Sequence, residues 1–91
     1  MSFYLLEYSY VDAERRAAVR PRHLEHIGRL YAEGKVVMAG PLADGTGAVI
    51  VYRAKDEAGA RGLVDEDPYT VEGVIGDARI REWVVVVPAQ G

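Results

Sequence analysis

The distribution of apolar and polar positions along the 91-residue chain predicts an alternation of strands and helices. The first segment is aromatic and apolar, and its successive side chains point to opposite faces, which is typical of a strand. Three more short apolar segments predict strands, and two segments with apolar residues at helical spacing predict helices. In chain order these are a strand at 3–10, a helix at 20–33, strands at 35–42 and 46–54, a helix at 57–66 and a strand at 78–87.

The first predicted helix has a strong amphipathic pattern. Residues 12–19 before it are helical or turn-like, and Pro21 predicts a kink or a new helix start, because proline fits a first turn better than a helix interior. Gly34 ends the helix, since glycine readily adopts the left-handed conformation of a helix C-terminus. The apolar stripe consists of Leu24, Ile27, Leu30 and Tyr31.

The order of elements predicts a ferredoxin-like α+β fold. About three residues separate the second and third strands, so these form a hairpin. Asp56 is a suitable N-cap for the second helix, and Asp67 with Pro68 begins a short helical turn that Gly73 closes. The βαββαβ order is that of a four-stranded antiparallel sheet with both main helices on one face. The length predicts a single domain, residues 1–91.

Apolar residues occupy both faces of the predicted strands. In the third strand Val49 and Val51 lie opposite Ile50, and the last predicted strand contains an unbroken valine run at 84–87. The two helices cover only one face of the sheet, and a soluble monomer rarely leaves so much apolar surface bare. We therefore expect a homodimer that pairs sheet to sheet with two-fold symmetry.

The composition is that of an ordinary globular protein, 49% hydrophobic and 27% charged. The net charge of −3 and the lack of any Lys/Arg run argue against a nucleic-acid partner. The lack of cysteine excludes disulfides and thiolate metal sites. The N-terminus does not have the pattern of a signal peptide, and the valine run is too short to span a bilayer. We expect a soluble cytoplasmic protein that has no membrane partner.

His23 is the first candidate for chemistry, because it lies within the apolar stripe of its helix. It precedes Ile27 by four residues and so faces inward, whereas His26 lies near the polar edge of the helix. Histidine is the side chain best suited to proton transfer near neutral pH. A core histidine held by a single hydrogen bond fits the same pattern, so both interpretations stay open.

Asp67 is the second candidate. The inward stripe of the second helix contains Ala60, Leu63 and Val64, and Asp67 continues it seven residues after Ala60. Asp67 also suits the N-cap position of a helix that begins at Pro68. The two roles are compatible, because one carboxylate oxygen can cap the helix while the other holds an imidazole and fixes its tautomer.

Four further residues are candidates for ligand binding. Arg20 lies on the same helix face one turn earlier, where it needs a carboxylate or an anionic ligand; a structural ion pair or a side chain that reaches solvent are the alternatives. Gly40 and Pro41 form either a plain strand end or a pocket wall that a ligand approaches closely. Tyr69 belongs on the Asp67 side of such a pocket, although tyrosines are core or interface residues by default.

These short motifs form an ordered set along the chain. The set comprises residues 20–24 (RPRHL), 39–41 (AGP), 56–58 (DEA) and 67–69 (DPY) with Gly73. At these spacings the chain resembles the YCII-related (YciI-like) proteins over essentially its full length. The resemblance implies a dimeric α+β barrel of ferredoxin-like subunits and a pocket with a His-Asp pair, here His23 and Asp67. It also implies acid/base chemistry by the histidine, similar to the isomerase and elimination chemistry of related barrel families on small, often aromatic-derived compounds.

Three hypotheses follow for the function. The first is a small enzyme of lyase or isomerase type in which Asp67 orients His23 and Arg20 holds an anionic group. The second is a non-catalytic dimer that binds a small molecule in the same pocket. The third makes the pair purely structural. Because no metal-ligand spacing, phosphate loop or nucleophile motif occurs in the sequence, we expect no metal and no cofactor.

Overall fold

The computed structural model describes residues 1–90 and has the predicted order of elements, with a short third helix before the last strand. The four-stranded antiparallel sheet and its packed helices confirm the ferredoxin-like α+β fold. Within the described range, no helix combines the length and the apolar character needed to cross a membrane. The elements are β1 (Ser2–Tyr10), α1 (Ala13–Ala32), β2 (Val36–Pro41), β3 (Gly47–Ala54), α2 (Glu57–Glu66), α3 (Pro68–Val71) and β4 (Ile75–Trp83).

The sheet has the strand order β2-β3-β1-β4, and every neighbouring pair is antiparallel. Leu6 in the middle of β1 lies opposite Ile50 of β3 and Ile80 of β4, so these three side chains share one face. All three helices pack on that face, which we call the inner face. The core that joins sheet and helices includes Tyr4, Leu6, Tyr8, Ile50, Tyr52, Val19, Ile27, Leu30, Ala60 and Tyr69.

Helix α1 is continuous from Ala13 to Ala32 and passes through Pro21, so the helix begins earlier than the sequence predicted. Asp12 caps it by accepting a hydrogen bond from the backbone N–H of Arg15 at 3.0 Å. Pro21 lies on the exposed side of the helix, where solvent can satisfy the carbonyl group that proline leaves without its usual donor. Gly34 follows the helix with φ +77°, the left-handed conformation expected of a helix C-terminus.

The buried stripe of α1 is rotated relative to the predicted stripe. Leu24 and Tyr31 are exposed, and the prediction that His26 lies at the polar edge is wrong, since His26 is only 6% exposed. The N-terminal half of α1 also packs on the core, through Val19, so the buried side of the helix is the side that contains Val19. The buried residues of α1 are Val19, His23, His26, Ile27 and Leu30.

The last strand begins and ends earlier than predicted. It spans Ile75–Trp83, and the valine run at 84–87 lies outside it. The register explains this, because Phe3 pairs with Trp83 and β1 extends only one residue further, which leaves the valine run without a partner strand. Apolar, β-branched residues favour a strand, but a strand also needs a neighbour that accepts its hydrogen bonds.

The sheet face opposite the helices, which we call the outer face, is largely apolar. Phe3, Leu5 and Val49 are partly buried there and Val51 is buried, although no helix covers them. Trp83 of β4 remains 45% exposed at one side of this face. Contiguous apolar surface of this kind commonly marks an interaction site.

Candidate active site

His23 faces the inner side of the fold from the middle of α1. It lies one turn from Val19 and one turn from Ile27, and both of these are buried in the core, so helical periodicity turns the imidazole inward. The histidine is 8% exposed, and its Nδ1 atom lies 2.8 Å from Oδ1 of Asp67. The structure therefore brings together two residues that are 44 positions apart in the chain.

Asp67 lies at the junction between α2 and α3. It is the C-terminal cap residue of α2 and the N-cap of α3, and its Oδ1 accepts a hydrogen bond from the backbone N–H of Tyr69 at 2.9 Å. The same Oδ1 lies against His23, so the expectation that the two roles would use different oxygens is wrong. Because the backbone of α3 fixes this oxygen, the carboxylate and its imidazole partner have a defined relative position.

Tyr69 restrains the imidazole of His23 from a second direction. The two rings are stacked, with centroids 3.8 Å apart and planes 4° apart. Tyr69 is itself fixed by an edge-to-face contact with Tyr10, with ring centroids 6.1 Å apart, and Tyr10 makes a similar contact with Tyr8 at 5.8 Å. A chain of three tyrosines in edge-to-face contact thus leads from the imidazole of His23 to β1.

A cavity of about 210 Å³ opens beside His23, between α1 and the ends of β1 and β2. Asp67 does not line the cavity, and it lies behind the imidazole. All the other residues that the sequence singled out do line it: Arg20, His23, Gly40, Pro41 and Tyr69. Gly40 follows the wall-forming Ala39 on β2, and a Cβ atom at Gly40 would meet no heavy atom within 4 Å, so its backbone borders open space.

Arg16 lines the same cavity and is not among the residues that sequence reasoning selected. Its guanidinium carbon lies 4.0 Å from the centre of the Tyr10 ring, a cation–π distance. The signal was present in the sequence, because residues 16, 20 and 23 lie on one face of a continuous helix. The expected break at Pro21 had separated Arg16 from that face.

The cavity has a positive lining with one carboxylate behind it. Arg16 and Arg20 both line it, and none of its lining residues is acidic. Burial raises the pKa of the Tyr69 hydroxyl, while these two guanidinium groups lower it. Burial also raises the pKa of Tyr8, whose ring forms part of the wall. At neutral pH the hydroxyls of Tyr8 and Tyr69 are therefore un-ionised hydrogen-bonding groups.

Asp67 occupies Nδ1 of His23, which leaves Nε2 as the nitrogen available to a molecule in the cavity. A carboxylate that accepts from Nδ1–H holds the tautomer whose Nε2 carries a lone pair. Such an arrangement can remove a proton from a bound molecule and return it to another atom. The same pair can also serve as a buried polar contact that shapes a binding pocket.

The second histidine, His26, is buried but does not line the cavity. Its Nδ1 lies 3.2 Å from Nη2 of Arg29, and its Nε2 has no hydrogen-bond partner in residues 1–90. The two histidines therefore differ in access to the cavity rather than in burial. Nowhere in residues 1–90 do three or more potential metal ligands cluster.

The YCII-related domain matches residues 1–84 of the chain. The protein belongs to this family. It is 32% identical to the protein YciI of Escherichia coli over 80 residues, which cover 77% of this chain and 82% of that protein. An uncharacterised protein of Haemophilus influenzae is 30% identical over 80 residues, with the same coverage of both chains. The family predicted from the ordered motifs is thereby confirmed.

Two solved structures share the fold of this YCII-related protein. The 5-chloro-2-hydroxyhydroquinone dehydrochlorinase TftG of Burkholderia phenoliruptrix, solved in complex with 2,5-dihydroxybenzoquinone, superposes with a TM-score of 0.81 over 97% of this chain and 99% of that chain, at 19% identity. Rv0793 of Mycobacterium tuberculosis superposes with a TM-score of 0.60 over 94% and 96% of the two chains, at 13% identity. At these identities the likeness establishes a common fold.

Proposed function

We propose that this protein is a small enzyme of lyase or isomerase type that moves a proton on a small organic, aromatic-derived substrate. The observation that carries this proposal is the 2.8 Å contact between Nδ1 of His23 and Oδ1 of Asp67 at the wall of a cavity. A histidine oriented by a buried carboxylate, with its second nitrogen open to a ligand site, is a common arrangement for general acid/base catalysis.

In the proposed reaction, Nε2 of His23 takes a proton from carbon or oxygen of the substrate, and the bonding electron pair stays on the substrate. The negative charge of Asp67 stabilises the imidazolium that forms. Arg20 stabilises the negative charge that develops on the substrate. The electron pair then either expels a leaving group, which is elimination, or accepts the proton back at a different atom, which is isomerisation.

Two further observations support this class of substrate. Aromatic rings border the cavity, which suits a flat and largely unsaturated molecule. TftG, which has the same fold, is a dehydrochlorinase whose structure contains 2,5-dihydroxybenzoquinone. We therefore place substituted hydroquinones, hydroxyquinones and related ring compounds first among the substrates to test.

The experiment compares turnover by the wild-type protein, His23→Asn and His26→Asn on haloaromatic diols, hydroxyquinones and small lactones, with halide release and product mass as readouts. His26 is the matched control, since it is a buried histidine on the same helix that does not line the cavity. We expect His23→Asn to lower kcat/KM by about 100-fold or more, and His26→Asn to change it little at a temperature where both variants are folded. Equal rates for wild type and His23→Asn would sink the proposal, and tight binding without any product would favour a non-catalytic binding protein.

We also propose that the protein is a homodimer whose subunits pair through their outer faces. Val49 and Val51 give this face an apolar centre, and Phe3 and Leu5 extend it across β1. Arg81 and Glu7 form an ion pair 3.6 Å apart on the same face, which suits a polar margin around an apolar centre. A second copy would cover surface that water otherwise contacts at a free-energy cost.

A further inference from the structure

Two positively charged side chains share the small cavity beside His23. Arg16 and Arg20 both line it, and they are four residues apart on α1, so they are neighbours on one helix face. Like charges at this spacing destabilise each other unless an opposite charge lies nearby. None of the ion pairs formed within residues 1–90 involves Arg16 or Arg20. Within residues 1–90, no carboxylate therefore lies within ion-pair distance of either guanidinium.

Arg16 is held in place rather than free to extend into solvent. Its guanidinium lies 4.0 Å above the ring of Tyr10. Tyr10 meets Tyr69 edge-on at 6.1 Å, and Tyr69 stacks on His23 at 3.8 Å. This chain of ring contacts fixes the position of the cation relative to the imidazole, so a group bound by Arg16 has a defined position relative to His23.

The hydrogen-bonding capacity of Arg16 is not used up by these contacts. The contact with Tyr10 is a cation–π contact, which supplies no hydrogen-bond acceptor atom to the N–H groups of the guanidinium. The Nε atom of Arg16 is buried and has no acceptor among residues 1–90. A buried charged donor without an acceptor is unfavourable, and an anionic oxygen entering the cavity would relieve it.

We infer that Arg16, together with Arg20, binds the ionised oxygen of an aromatic anion in this cavity and selects anionic over neutral substrates. The volume of about 210 Å³ is larger than the roughly 150 Å³ that accommodates benzene in an apolar cavity, so it admits one ring with small substituents. The inference rests on the proposed function in taking this cavity as the substrate site. It adds the charge of the substrate and a residue that recognises it.

The test measures binding by NMR titration, without reference to turnover. Two pairs of probes of similar shape are used, benzoate with benzamide and 4-nitrophenolate with 4-nitrobenzyl alcohol, in a phosphate-free buffer of low ionic strength. The proteins are wild type, Arg16→Gln, Arg16→Lys and the control Arg22→Gln. Arg22 is on the same helix, is exposed and lies outside the cavity, so its replacement makes the same change in net charge.

We expect wild type to prefer at least one anion over its neutral partner by about tenfold, which is the scale of one charged hydrogen bond. Arg16→Gln should lose most of that preference while it binds the neutral probe as before, a split that a general loss of structure would not produce. Arg16→Lys should keep part of it, because lysine retains the charge but not the planar fork. Arg22→Gln should match wild type. The better of the two anions identifies carboxylate or phenolate as the recognised group.

The inference is overturned if wild type binds anions and neutral partners equally, if it binds none of the four probes, or if Arg16→Gln and Arg22→Gln have the same effect. These outcomes are separate from the fate of the proposed reaction. Suppose that the preference for anions depends on Arg16 but that His23→Asn has unchanged turnover. This result would support the anion site and refute the catalytic role of His23. Loss of turnover in His23→Asn without any preference for anions in wild type would support the catalytic role of His23 and refute the anion site.

Discussion

The ring of Tyr69 lies parallel to the imidazole of His23 at 3.8 Å, and the backbone N–H of the same tyrosine is bonded to the carboxylate that contacts that imidazole. One residue of a four-residue helix therefore restrains both members of the His23–Asp67 pair. The ring limits motion of the imidazole out of its plane, and the carboxylate limits rotation within the plane. Two different restraints of this kind give a side chain one orientation, which acid/base catalysis requires.

Replacing Asp67 separates its capping role from its charge. We expect Asp67→Ala to lower the free energy of unfolding by about 2–4 kcal/mol, because it removes the N-cap of α3 and a buried hydrogen bond to His23. Asp67→Asn should cost less than about 1 kcal/mol, since asparagine is an equally good N-cap and its carbonyl oxygen can still accept from Nδ1–H. Urea unfolding at pH 7 gives both values. Equal losses in the two variants would show that charge, and not capping, dominates at this position.

The buried hydroxyl of Tyr52 leads to a prediction about alkaline pH. Burial, with a smaller contribution from the charge of Asp67, raises the pKa of Tyr52, and the hydroxyl has no hydrogen-bond partner in residues 1–90. A raised pKa in the folded state means that the unfolded chain ionises first, at its ordinary value of about 10. The stability that this tyrosine contributes is therefore complete below about pH 10 and is lost as the pH rises towards the folded pKa.

Tyr52→Phe should reduce the decrease in the free energy of unfolding between pH 10 and pH 11. At pH 7 the variant should be as stable as wild type or up to about 1 kcal/mol more stable, because it removes a buried polar group that has no partner. The measurement is the urea midpoint from pH 7 to 11, with Tyr31→Phe, on the exposed side of α1, as the control at pH 7. A loss of more than about 1 kcal/mol in Tyr52→Phe at pH 7 would mean that its hydroxyl has a partner after all.

Two glycines should respond in opposite ways to alanine. A Cβ atom at Gly28 in α1 would meet no heavy atom within 4 Å, so Gly28→Ala should stabilise the protein by about 0.5–1 kcal/mol through helix propensity. A Cβ atom at Gly47 in β3 would collide with the backbone carbonyl oxygen of Tyr8 in the neighbouring strand, so Gly47→Ala should destabilise it by about 1–3 kcal/mol. Thermal unfolding of both variants tests the β1–β3 register, because a shifted register would relieve the collision.

The proposed dimer can be tested by a charge on the outer face. We expect sedimentation equilibrium to give twice the chain mass of 10.0 kDa for wild type and a shift towards the monomer for Val49→Lys, since a lysine in an apolar interface must lose its hydration. Glu25→Lys, on the exposed face of α1, should leave the mass unchanged. A monomeric wild type at millimolar concentration would refute the dimer.

The elements that local signals define were the most predictable. Helix α2 has the predicted bounds, because Asp56 caps it and Asp67 with Pro68 ends it. The valine run at 84–87 has the composition of a strand but lies outside β4, because whether a segment becomes a strand depends on the partner that register supplies. The partner of a strand is a property of the whole fold, which local composition does not contain.

In the candidate site, too, residues marked by a local sequence pattern were predicted, and residues whose place depends on tertiary packing were not. Helical spacing was enough to select His23 and Asp67, and the predicted end of a strand was enough to select Gly40 and Pro41. Arg16 was missed because proline is usually treated as a helix break, while here it lies on the exposed side of α1 and the helix continues. The prediction for His26 was wrong because four apolar residues defined the stripe too narrowly, and the contact of α1 with the rest of the core decides which side is buried.

Helix α1 continues without interruption through Pro21, so the spacing of its residues along the helix axis is fixed. Arg20 and Arg16 precede His23 by three and seven residues, which corresponds to about 4.5 Å and 10 Å along the helix axis. Movements of the sheet or of α3 change neither axial separation, because all three residues belong to one continuous helix. In the proposed reaction, helix pitch would then set where a charged substituent and the reacting carbon lie relative to each other on the ring, and so would contribute to regioselectivity.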